Sequence, residues 1–137
     1  MNWTLEVIVV PVSDVDRAKA FYADQVGFVV DSDVHVSDTV RFVQLTPRGS
    51  GCSIVLSEGM PLMAPGSLKG LQLVVRDVHA ARAELVDRGV KVSNVQVFDG
   101  GIPRPARAED SLDYAGFLFF DDPDGNSWAI QQISSRE

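Results

Sequence analysis

A chain of 137 residues with 45% hydrophobic and 23% charged side chains has the length of one globular domain and enough apolar residues to bury a core. Its net charge of -7 and pI near 4.7 oppose a phosphate-backbone partner, which needs clustered Lys and Arg, so no nucleic acid is expected. No basic-then-apolar leader opens the chain and no apolar run nears the roughly 18 residues of a membrane span, so a cytoplasmic protein with no membrane partner is expected.

Val7–Val12 is apolar and largely β-branched, which suits a strand buried on both faces. Ser13 or Asp14 can then cap a helix. Along it Val15, Ala18, Phe21, Tyr22 and Val26 make one apolar stripe, Asp16, Arg17, Lys19 and Asp24 face water, and Gly27 is the stop. Strands are expected over Phe28–Asp31, Val40–Leu45 and Ser53–Leu56, with His35 in a polar turn. Ser57–Lys69, containing Gly59, Pro61, Pro65 and Gly66, reads as a linker.

The same order then returns. Leu71–Val75 is a second buried strand, Asp77 a second cap, and Val78, Ala81, Leu85 and Val86 a second stripe ending at Gly89. Strands over Val90–Val97, Phe117–Phe120 and Ser127–Ile133 follow, and Phe98–Ala115 between them reads as an irregular insert and a candidate lid. Pro11–Tyr22 and Val74–Leu85 are copies of one pattern, so the expected fold is a single α+β domain over 1–137. It consists of two tandem βαβββ modules, 1–58 and 70–134, with mixed sheets.

The Val-Ser-Asp-Val-Asp-Arg-Ala run from Val12 to Ala18 leads to Phe21-Tyr22 and Val26-Gly27-Phe28. With Asp122-Pro123-Asp124-Gly125-Asn126 before Trp128, it resembles the vicinal oxygen chelate superfamily of glyoxalase I, bleomycin-resistance proteins and extradiol dioxygenases. The resemblance covers nearly the whole chain. It implies that the sheets of both modules curl around a cup, in which enzymes of the superfamily hold a divalent metal by four His, Glu or Gln side chains. In this chain the matching positions fall on Val7, Gly70 and Ala129, and the fourth lies among Gly51–Leu56, where Cys52 is the best donor. No metal and no cofactor are therefore expected. Glu6 is one residue out of register and belongs at a solvent-facing strand end, whereas Gln72 and Gln131 share the parity of the lost positions.

Other chemistry is sparse. Cys52 is alone and excludes an intrachain disulfide, and His79 sits on a helix start with no partner at metal-ligand spacing. Asp121, Asp122 and Asp124 with Pro123 and Gly125 read as a tight turn. Three functions remain open. The first is a metal-independent binding protein whose cup takes a small organic molecule: Val7, Phe42, Gln44, Phe117 and Phe119 would wall it, with amides Gln72 and Gln131 fixing polar atoms. The second is a lyase, isomerase or dioxygenase-like enzyme, with Arg104, Arg107, Glu109, Asp110, Asp113 and Tyr114 of the insert as ionisable candidates; Arg104, Arg107 and Tyr114 are also expected to contact the ligand. The third is association with a protein partner. A homodimer is expected, since paired βαβββ sheets leave edges to cover.

Overall fold

Each helix begins where an apolar strand meets an aspartate, and the two strands, expected to be buried on both faces, are covered on one face only, leaving Val7 and Val74 exposed. In the computed structural model, which describes residues 1–58 and 63–136, strand β1 (Val7–Pro11) leads to helix α1 (Val15–Ala20). Strand β5 (Leu71–Val75) leads to α2 (Val78–Asp87). Asp14 accepts a hydrogen bond from Arg17 N and Asp77 from Ala80 N, each at 3.0 Å. A second cap arrives from far along the chain: Glu58 Oε2 accepts from Val15 N at 2.9 Å, and Gln132 Oε1 from Val78 N at 3.0 Å. Both helix starts thus have part of their unpaired amide row satisfied by side chains.

Among the described residues, nine strands and two α-helices build two mixed sheets, an α+β fold consistent with tandem βαβββ modules. The chain forms two compact units: Met1–Leu68 with Asp122–Asn126, and Lys69–Asp121 with the residues from Ser127 on. The middle of the expected linker, with Gly59 and Pro61, lies outside the described residues. Among the described residues no helix is long and apolar enough to cross a membrane.

In the first unit β2 (Val29–His35), β3 (Arg41–Thr46) and β4 (Ser53–Glu58) join β1 in the order β1-β4-β3-β2, with β1 and β4 parallel. Alternation along these strands sends Val10, Val43, Leu45, Ile54 and Leu56 to one buried face, where Val15, Ala18, Phe21 and Tyr22 also bury. Each large apolar side chain so buried contributes about 1.5–3 kcal/mol before ordering entropy is subtracted. His35, expected in a turn, instead ends β2 opposite Arg41. The helix expected to run evenly to Val26 widens into a π-helical turn over Phe21–Val26. The wider turn keeps both Phe21 and Tyr22 inside, and Tyr22 Oη donates to Asp122 at 2.8 Å.

That aspartate belongs to the Asp122–Asn126 turn, which packs into the first unit. Asn126, fully buried, donates from Nδ2 to Pro11 O at 2.9 Å and accepts from Leu68 N at 3.1 Å. Asp124 accepts from Ser13 N at 3.1 Å and from Arg17 at 3.3 Å. Gly66 closes the arrangement: its φ is +79°, and a Cβ there would lie 2.0 Å from Asp124 O, so the site admits no side chain.

The second unit orders its strands β5-β9-β8-β6-β7, with β6 (Gln96–Asp99), β7 (Ile102–Pro105), β8 (Phe117–Asp121) and β9 (Ser127–Gln132). Leu71, Leu118, Phe120, Trp128 and Ile130 bury on the face shared with Val78 and Leu85 of α2. Two expectations are corrected here. The strand expected over Val90–Val97 is confined to Gln96–Asp99, with an isolated bridge from Val92 to Phe120. The insert Phe98–Ala115, expected to be irregular, carries the β6–β7 hairpin turning at Gly100 and Gly101. Pro103 and Pro105 are tolerated because β7 is the sheet edge, where a missing N–H breaks no ladder.

Candidate functional site

The face of the second sheet opposite α2 gathers Gln72, Gln131, Phe117 and Phe119 from the expected ligand-contacting residues. Period-two alternation puts Gln72 and Val74 of β5, Ala129 and Gln131 of β9, Phe117 and Phe119 of β8, and Gln96 and Phe98 of β6 on this one side. The register sets their order: Ala129 lies between Gln72 and Phe119, and Gln131 between Val74 and Phe117. The Phe117 and Phe119 rings lie nearly parallel, 6° apart in plane and 6.4 Å between centroids. Phe98 meets both edge-on, at 5.4 Å and 6.4 Å. The sequence reading missed Phe98 because it assigned that residue to a loop.

The amides form a relay beside the rings. Gln72 Nε2 donates to Gln131 Oε1 at 2.7 Å, and Gln131 Nε2 donates to Tyr114 O at 2.8 Å. A carbonyl oxygen can only accept, so Tyr114 dictates which end of Gln131 faces it, and Gln131 in turn dictates Gln72. Tyr114 itself is 57% exposed and has φ +60°, the left-handed region seldom adopted by a residue with a large side chain.

The insert is pinned rather than loose. Arg104 donates to Asp110 from both terminal nitrogens, at 2.8 and 3.0 Å, and to Asp99, while Arg107 N donates to Asp110 at 2.7 Å. The Arg104 guanidinium and the Arg107 amide hold the Asp110 carboxyl far below the usual carboxylate range. Arg104 pairs in register with Val97, on the side away from Phe98, so this candidate ligand residue serves the hairpin instead of the aromatic face. Arg107 is exposed outside any strand, and Glu109 and Asp113 are likewise exposed. Asp113 accepts from Ser134 N at 2.7 Å.

In the first unit Val7, Phe42 and Gln44 occupy the face opposite α1, together with Val9 and Val55. Thr46 on that face donates to Asp31 and lies 2.7 Å from Ser53 Oγ. Glu6 precedes β1 and is exposed, as expected of a strand end. Cys52 is half-buried with its thiol 3.6 Å from Ser53 O, and His79 is exposed.

The positions that the resemblance gives to metal ligands carry weak donors or none. Val7 and Ala129 bring no donor atom, and Gly70 has φ +89°, where any side-chain ligand would be strained. Among the described residues no three His, Cys, Asp or Glu side chains group so as to hold an ion. Amides alone are poor ligands for a divalent cation.

Comparison with known proteins gives concordant results. The family model for the Glyoxalase/Bleomycin resistance protein/Dioxygenase superfamily matches residues 4–130. TnmS3, an antibiotic binding protein from Streptomyces sp. CB03234, is 34% identical over 97% of this chain and 98% of its own, with a TM-score of 0.75. A glyoxalase/bleomycin resistance protein from the same organism is 35% identical over 94% and 100%, with a TM-score of 0.71. A superfamily member from Sphaerobacter thermophilus DSM 20745 is 26% identical over 96% and 98%, with a TM-score of 0.72. Comparison with curated proteins returns no match.

Proposed function

Because the chain belongs to the glyoxalase/bleomycin resistance protein/dioxygenase superfamily, we propose that it binds a small, planar organic molecule of the antibiotic kind, without a metal centre and without catalysis. The carrying observation is the composition of the second unit's open face: three phenylalanine rings and two oriented amides, with the ionisable Asp121 set apart at the exposed end of β8 opposite Ser127. Aromatic faces supply contact area for a planar ligand and the amides fix its polar atoms. General acid–base chemistry needs a titratable group within reach of the ligand, and among the strand residues flanking the rings and amides none titrates; Asp121 stands beyond them, at the end of β8 opposite Ser127. The antibiotic-binding role of TnmS3 at 34% identity supports the same reading.

A thermal-shift and fluorescence screen with polycyclic aromatic antibiotics tests it, with 1-hydroxypyrene as a chemically defined planar probe. Binding should raise the melting temperature in proportion to ligand concentration over Kd. Gln131→Ala should weaken a bound member about ten- to a hundred-fold, the cost of one lost buried hydrogen-bond partner. A screen with no binder, or binding indifferent to both Phe119→Ala and Gln131→Ala, refutes the assignment.

We also propose a homodimer formed through the first unit. All of β2, one of the two edge strands of its sheet, is exposed, and Trp3 and Leu5 are 87% and 67% exposed. Such edges and apolar side chains favour association. Sedimentation showing only monomer at micromolar concentration would exclude it.

A further inference from the structure

Tyr114 holds a conformation that a side chain makes unfavourable. Among the described residues it is the single non-glycine with positive φ, at +60°. In this region a Cβ crowds the neighbouring carbonyl, and glycine or asparagine is the usual occupant. The conformation is fixed from both sides. Tyr114 N donates to Gln132 O at 2.8 Å, Ala115 N and Gly116 N both donate to Leu112 O, and Gln132 N donates to Gly116 O at 2.9 Å. The Tyr114 carbonyl is thereby aimed at Gln131 Nε2. All of this is backbone work, which glycine would do with less strain.

The ring therefore needs a separate reason. It is more than half exposed, so it adds little to the buried core. Its own carbonyl touches Gln131, and Gln131 pairs in register with Phe117, so the residue stands at the border of the aromatic face. Strain retained at a binding surface without a structural gain marks a functional side chain.

The geometry points to Tyr114 as the residue that closes over the ligand: its ring covers one face of a planar aromatic molecule whose other face lies on Phe117 and Phe119. This rests on the binding function proposed above and adds a specificity-determining residue to it. One residue then serves twice, its carbonyl presetting the amide relay and its ring completing the aromatic enclosure. A ligand without a flat aromatic body would gain nothing from the second contact.

The test compares wild type with Tyr114→Gly and Tyr114→Asn, measuring melting temperature and fluorescence anisotropy of 1-hydroxypyrene. Both variants accept the left-handed backbone and keep the carbonyl, so their melting temperatures should equal or exceed that of wild type. Their affinity for the probe should fall about ten-fold, mainly through faster dissociation. Tyr114→Phe should retain most of the affinity. A melting temperature lowered by more than about 5 °C in both variants would make the ring structural and overturn the inference. Undiminished affinity in Tyr114→Gly would overturn it while leaving the binding function intact. No binding by wild type to the probe or to the antibiotic panel would remove the function and this inference together.

Discussion

Replacing Asn126 by alanine should be among the most damaging single changes in the first unit. Its Nδ2 donates to Pro11 O at 2.9 Å and to Asp122 Oδ2 at 2.7 Å, and its Oδ1 accepts from Leu68 N at 3.1 Å. Each such bond contributes about 1 kcal/mol net, whereas a buried group left without a partner costs about 1–3 kcal/mol. Asn126→Ala strands Leu68 N and takes one of two donors from Pro11 O, which keeps the bond from Gly66 N at 3.2 Å. Asp122 suffers less, because it still receives Tyr22 Oη at 2.8 Å and the amides of residues 124 and 126, each at 2.9 Å. With the small void added, the loss should be about 3–5 kcal/mol, a large part of the 5–15 kcal/mol that holds a typical domain together. Asn126→Asp separates the donor from the volume: it keeps an acceptor for Leu68 N but turns an oxygen toward Pro11 O and Asp122. It should therefore be at least as harmful as alanine. Urea unfolding followed by far-ultraviolet circular dichroism gives the magnitude, and hydrogen exchange at the Leu68 amide gives the local effect. A loss below about 1 kcal/mol in both variants, with Leu68 still protected, would show that the turn does not hold the unit as argued.

Gly66→Ala should lower the melting temperature by roughly 10 °C, since clash and left-handed strain each cost about 1–3 kcal/mol. Gly70→Ala, with a similar φ but open space around the Cβ, should cost clearly less, and equal effects would contradict the clash. Arg41 and, next, Lys19 hold the Asp33 carboxyl far below its ordinary value. A depressed folded value means that this stabilisation is complete above the unfolded carboxylate pKa of about 3.9 and fades as pH falls below it. The stability difference between wild type and Asp33→Asn should therefore shrink between about pH 4 and pH 2, and a constant difference would exclude the ion pairs as its source. Chelator treatment and one equivalent of Zn²⁺, Ni²⁺, Mn²⁺ or Mg²⁺ should leave the melting temperature unchanged, given Val7, Gly70 and Ala129. A chelator-sensitive transition would establish a metal site elsewhere.

The sequence by itself determined whatever depends on local rules. Asp14 and Asp77 announce helix starts through short-range capping, Gly27 and Gly89 mark their ends, and two-residue alternation gave Gln72 and Gln131 one parity, while the strand register set Phe117 and Phe119 beside them. Tertiary structure decided whatever depends on partners distant in the chain. Pro103 and Pro105 argued locally against a strand, yet as edge residues they close a hairpin that brings Phe98 onto the rings and gives Arg104 to Asp110. The Asp122–Asn126 turn was legible as a turn, but not as a plug for Tyr22, Pro11 and Leu68, because nothing nearby in sequence specifies a hydrogen-bond partner a hundred residues away. Tyr114 shows the limit most clearly. Its left-handed backbone is imposed by hydrogen bonds between the insert and β9, and propensity alone would assign that conformation to glycine.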